Sequence, residues 1–135
     1  MSYRIERVEG IGPKYAERLL ELGIETTDTL LQRAGTRRGR KALAEEAGVA
    51  EKLILRWVNL ADLMRINGVG PQFSELLEAS GVDTVKELGT RSPDNLAMTL
   101  AKVQREKRIA RTAPPGTRVR RWILQAKSLD PAVSH

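Results

Sequence analysis

Two short segments carry the spacing most suited to chemistry: Val8-Glu9-Gly10-Ile11-Gly12-Pro13-Lys14 and Ile66-Asn67-Gly68-Val69-Gly70-Pro71-Gln72. The first glycine of each permits a sharp turn. The apolar residue between the glycines can plug that turn. The second glycine leaves backbone N–H groups bare, and a proline at the first helical position loses no hydrogen bond there. Bare N–H groups at a helix N-terminus, with the helix dipole behind them, form an anion site suited to a phosphate. A turn used only for packing is the alternative. Two copies, each with a further glycine ten residues after its proline, Gly23 and Gly81, make the turn itself a strong expectation.

Other chemistry is scarce. The chain has no Cys, and its single His is His135. Thiolate metal sites, iron–sulfur clusters, cysteine nucleophiles and His-based acid–base triads are therefore excluded. The expectation is a protein that is not an enzyme and needs no metal or cofactor. Asp83-Thr84, after the second turn, reads as a turn and helix cap, not as a catalytic carboxylate.

Basic residues cluster in three places: Arg37, Arg38, Arg40 and Lys41; Lys102, Arg105, Lys107, Arg108 and Arg111; and Arg118, Arg120 and Arg121. The formal charge is +6. Residues 1–100 hold 14 basic and 15 acidic side chains, whereas residues 101–135 hold 9 and 2. A local basic block attracts a polyanion more than a global excess does. Arg37 and Arg38, and Arg118, Arg120 and Arg121, also open helices, where a cation opposes the dipole. Nucleic acid is the partner this implies, with Arg105, Arg108, Arg118, Arg120 and Arg121 as candidate contacts. A solvated arginine-rich face is the alternative.

The elements that position these residues come as a repeat. Residues 8–30 align with residues 66–88 at an offset of 58, with 8 of 23 positions identical. Arg56-Trp57-Val58-Asn59-Leu60-Ala61 also resembles Arg121-Trp122-Ile123-Leu124-Gln125-Ala126. Apolar residues are 41% and aromatics 4%, so the core is built from Leu, Ile, Val and Ala, which favours helices. Helices are expected behind Pro13 and Pro71, after caps at Thr26 or Thr27, Thr36, Thr84 and Ser92, from Glu51 to Arg65, and after a cap at Thr117. Thr84-Val85-Lys86-Glu87 has the form of a capping box. Leu53, Ile54, Trp57, Val58, Ala61 and Met64 share one helical stripe, so Trp57, like Trp122, is expected in the core and not stacked on bases. The helix leading into the first turn is expected to be short and prone to fraying.

These segments resemble the helix-hairpin-helix family. More closely, Glu9–Glu17, Gly39–Glu45, Glu51–Leu55, Trp57–Ile66 and Gly81–Leu88 resemble a bacterial family of unassigned function built from two such hairpins in tandem. The resemblance covers residues 5 to about 129. It implies an all-α fold: two pseudo-repeats of a four-helix unit, each with a helix-hairpin-helix motif, packed as one compact body. The expected divisions are 1–65, 66–129 and a flexible tail over 130–135. It further implies sequence-nonspecific binding of duplex DNA through the phosphate backbone. The contacts would fall on Gly10, Ile11, Gly12, Lys14 and Tyr15, and on Gly68, Val69, Gly70, Gln72 and Phe73. Lys14 stands opposite Gln72, so the first hairpin is expected to hold phosphate more firmly, although Glu6 and Glu9 lie close to it. The runner-up is a protein–protein interaction module whose hairpins are structural, bind a partner or mediate dimerisation. With no apolar run near the roughly 18 residues of a membrane span and no signal-like start, a cytoplasmic protein without membrane contact is expected; the oligomeric state is left open.

Overall fold

The chain folds as eight α-helices in the computed structural model, which describes residues 2–135. They are α1 (Pro13–Glu21), α2 (Thr27–Ala34), α3 (Arg37–Ala47), α4 (Glu51–Leu63), α5 (Pro71–Ala79), α6 (Val85–Leu88), α7 (Pro93–Lys107) and α8 (Gly116–Ser128). No strand occurs among the described residues; Arg4 and Thr26 form one isolated antiparallel bridge.

Local chemistry sets most of the boundaries. Pro13 and Pro71 begin α1 and α5. The hydroxyls of Thr26, Thr36 and Thr84 accept from the N–H groups of Thr29, Gly39 and Glu87, each capping a helix. The return half of the capping box lands one residue early: Glu87 accepts from the N–H of Asp83, not of Thr84. Two expected caps do not form. Ser92 precedes α7 without a side-chain cap bond. Thr117 lies inside α8, whose first residue is Gly116; Pro115, in extended backbone, is the residue before the helix and has no side-chain oxygen to cap with. The segment leading into the first turn is a single 3-10 turn, Ile5–Arg7, and it is anchored. Ile5 N–H donates to Glu25 O at 2.9 Å, Thr27 N–H to Tyr3 O at 2.8 Å, and Tyr3 N–H to Thr27 Oγ1 at 3.0 Å.

Two apolar clusters divide the chain. One gathers Ile5, Leu19, Leu30, Leu43, Ile54, Trp57, Leu60 and their neighbours; the other gathers Leu63, Ile66, Leu76, Leu88, Leu100, Trp122 and theirs. Helix α4 serves both, since Leu60 belongs to the first and Leu63 to the second. Asp62, on the same helix, is 1% exposed. It accepts from Arg65 at 2.9 Å and from the Val85 N–H at 2.8 Å, tying α4 to the start of α6. Trp57 and Trp122 are both buried, as their helical stripes require.

Over residues 130–135, expected as a flexible tail, the chain makes contacts with the helices. Val133 joins the first cluster. Ser134 N–H donates to Gly35 O at 2.8 Å, and Ser134 O accepts from Arg40 at 2.6 Å. Arg65 donates to Asp130 O at 2.9 Å. Arg40 is 5% exposed and also donates to Ala34 O and Gly35 O. One buried guanidinium with three carbonyl acceptors holds the segment, and no local sequence pattern announces a bond spanning 94 residues.

Candidate nucleic-acid interface

The two Gly-x-Gly turns adopt matching conformations. Gly10 and Gly68 have φ of +91° and +89°, in the left-handed region where other residues are strained. Ile11 and Val69 point inward and are buried. Gly12 and Gly70 are the N-cap residues of α1 and α5. A Cβ at Gly12 would meet nothing within 4 Å, and the first-turn N–H groups of α1 have no intrahelical acceptor. At Gly70 the Tyr3 hydroxyl stands 3.7 Å from that position. Lys14 and Gln72 are exposed. Tyr15 is half-buried, edge-on to Trp57 with ring centroids 5.0 Å apart; Phe73 packs against Trp122 at 5.3 Å. Beneath each turn lies the indole nitrogen of that tryptophan, and neither Nε1–H has a hydrogen-bond partner.

Charge separates the two turns. Around the first, Glu6, Glu17 and Glu21 line a groove with Ile11, Pro13, Ala16 and Leu20. Arg56, beside Gly10, is taken by Glu78 through two hydrogen bonds of 3.0 Å. Burial pushes the Glu75 carboxyl above its ordinary value; the charges of Glu9 and Glu78 add to this, and Arg56 opposes it. The hydrogen bond from Arg4 holds Glu6 below the usual glutamate value. Around the second turn, Asn67, Gly68, Trp122 and Gln125 form a cleft with Arg118 and Arg121. Gln125 Oε1 accepts from the Asn67 N–H at 2.9 Å, bracing the turn against α8. No ion pair engages Arg118 or Arg121 among the described residues. Local charge thus favours an anion at the second turn, opposite to what Lys14 and Gln72 alone suggest.

The structure brings Gly68, Arg118 and Arg121 together and leaves other candidates apart. Arg120 is exposed on α8. Arg105 and Arg108 line a separate depression with Gln104, Ala110 and Arg111. There Gln104 accepts from the Ala110 N–H and donates to its carbonyl, and Arg108 ends α7 with φ of 49°. Of the N-terminal α3 cluster, Arg37 and Arg38 are exposed whereas Arg40 is consumed by the carbonyls described above. The Trp122 N–H was absent from the residues named as contacts; its apolar stripe pointed to packing, and only the fold sets its nitrogen under Gly68.

A family described as a domain of unknown function (DUF4332) matches residues 9–129. The chain belongs to this family. Within the DUF4332 chain the matched span opens inside the first turn, at Glu9, and closes at Leu129, one residue past α8, so the docked segment 130–135 lies beyond it. Searches of curated proteins and of solved structures find no match. Among the described residues no helix is long and apolar enough to cross a membrane.

Proposed function

We propose that this protein is a non-catalytic, cytoplasmic binder of nucleic acid, built from two helix-hairpin-helix repeats over residues 1–65 and 66–129. Its ligand is duplex DNA, held through phosphates without regard to sequence. The observation that carries the reading is the cleft at Gly68. Two guanidinium groups with no ion pair among the described residues, Arg118 and Arg121, flank the Gly68 turn. Guanidinium groups and the backbone N–H groups at a helix N-terminus suit a phosphate oxygen, and no side chain in this set is arranged to read base edges. Gly70 and Gln72 extend the same turn, and Gly12 with Lys14 offers a second, weaker contact. Fluorescence anisotropy with duplex DNA, single-stranded DNA and RNA across a salt series tests this. Duplex binding of ~10⁻⁴ to 10⁻⁶ M near physiological salt, equal for scrambled sequences, is expected. No binding at ~50 mM salt, where screening is weak, overturns it.

A second reading, an interaction module, is favoured by one observation. The groove along α1 is acidic and holds Leu20, which is 42% exposed. Carboxylates repel phosphate, and an exposed leucine in a groove suits a protein surface.

A further inference from the structure

The repeat gives each surface of one half a counterpart in the other, and one pair of counterparts lacks the contact its equivalents make. Within the chain, α4 lies against α5. Arg56 of α4 grips Glu78 of α5, and Leu63, two turns further along α4, enters the second core. By sequence, α8 corresponds to α4 and α1 to α5: Arg121 precedes Trp122 as Arg56 precedes Trp57, and Pro13, Glu17 and Leu20 stand 58 residues before Pro71, Glu75 and Glu78.

On α8 the corresponding stripe is uncovered. Arg121 is exposed, and Leu124, one turn on, is 60% exposed. On α1 the corresponding stripe is the groove with Leu20 at its edge. Leu20 and Leu124 are two of the three large apolar side chains substantially exposed among the described residues, the third being Met98 on α7. The faces are opposite in charge, with Arg118, Arg120 and Arg121 on one and Glu6, Glu17 and Glu21 on the other.

We propose that α8 of one molecule docks on the α1 groove of a second copy, repeating head to tail the contact that α4 makes with α5 inside the chain. Arg121 then meets the Glu17–Glu21 edge, and Leu20 and Leu124 cover one another. Because the two faces differ, each joined pair keeps one free α8 face and one free groove, so assembly runs on past a pair, into a ring or a filament. Ser128 stands where α4 has Leu63, so the contact between molecules is more polar than the internal one and more sensitive to salt. The proposal rests on the interaction reading and needs no nucleic acid. Phosphates would compete for the same arginines.

Sedimentation velocity without nucleic acid tests it. For the unaltered chain, the average mass should climb past two chains with rising concentration, and apparent association should weaken at least ~tenfold between ~50 and ~500 mM salt. Two paired variants test the geometry, E17K with L20K and R121E with L124E. All four positions are exposed, so helical circular dichroism should be preserved. Each variant alone should remain monomeric, whereas an equimolar mixture should associate again, since the unaltered α8 face of one meets the unaltered groove of the other and the two charge-reversed faces complement one another. A wild-type chain that is monomeric at ~1 mM and ~50 mM salt, variants that each associate as wild type does, or a mixture that stays monomeric would overturn the proposal. Duplex-binding anisotropy on the E17K and L20K variant separates the readings. Retained DNA binding by chains that never associate leaves the nucleic-acid function standing, and association without DNA binding removes that function alone.

Discussion

Trp57 shows most directly what one residue does here. It is fully buried, packs against Tyr15, and lies under the Gly10 turn with its N–H unpartnered. Trp57→Ala should lower stability by ~3–5 kcal/mol, measured by urea unfolding, because the cavity opens between α4 and the first turn. Glu75 supplies a pH dependence. Its pKa is raised in the fold, so the neutral form is favoured there. The stability it contributes is present below the unfolded glutamate pKa and is lost as pH rises through the raised folded value. Melting curves should therefore show a stability loss just above the ordinary glutamate range, and Glu75→Gln should raise the melting temperature at pH 7 and remove that loss. Trp57 was legible in the sequence because its burial follows from a helical stripe. The Glu75 cluster was not, because Glu9, Arg56, Glu75 and Glu78 come from three separate segments, and only packing decides that Arg56 pairs with Glu78.

The helices divide in the same way. Thr26, Thr36 and Thr84 announced their own starts, since a cap bond spans three residues and needs nothing distant. Thr117 misled because a hydroxyl near a helix start caps only if its residue is the last extended one, and Pro115 holds that place. The Gly-x-Gly turns were legible in conformation and, through Glu6 and Glu9, in part of the first turn's charge, whereas the closeness of Arg118 and Arg121 to Gly68 was not. Lys14 suggested that the first would hold an anion better, whereas the fold puts carboxylates around it and arginines around the second. The α8 arginines should consequently dominate any DNA contact. Changing Arg118, Arg120 and Arg121 together to Ser should reduce the slope of log K against log salt by up to ~3, with the helical spectrum unchanged, whereas Lys14→Ala should remove about one unit or less. Anisotropy titrations at several salt concentrations would read both.

At the scale of the molecule, the sequence repeat correctly suggested a compact helical body but gave no sign of the closing segment. Val133 and Ser134 return to the first cluster, where Gly35 and Arg40 receive them. Removing residues 131–135 should lower stability by ~1–3 kcal/mol, since Arg40 loses one of its three acceptors and stays buried. Urea unfolding of the shortened chain checks this, and limited proteolysis should then cut first near α3.

The same return of the chain matters while the protein is being made. The first cluster is otherwise drawn from residues 5–64, which leave the ribosome early. Its last member, Val133, emerges only after all eight helices have been synthesised. A nascent chain halted after α8 would display a first half with an open seam at Gly35 and an incompletely bonded Arg40. Vectorial synthesis therefore cannot finish the half it begins with until the other half is complete, and the two are matured together.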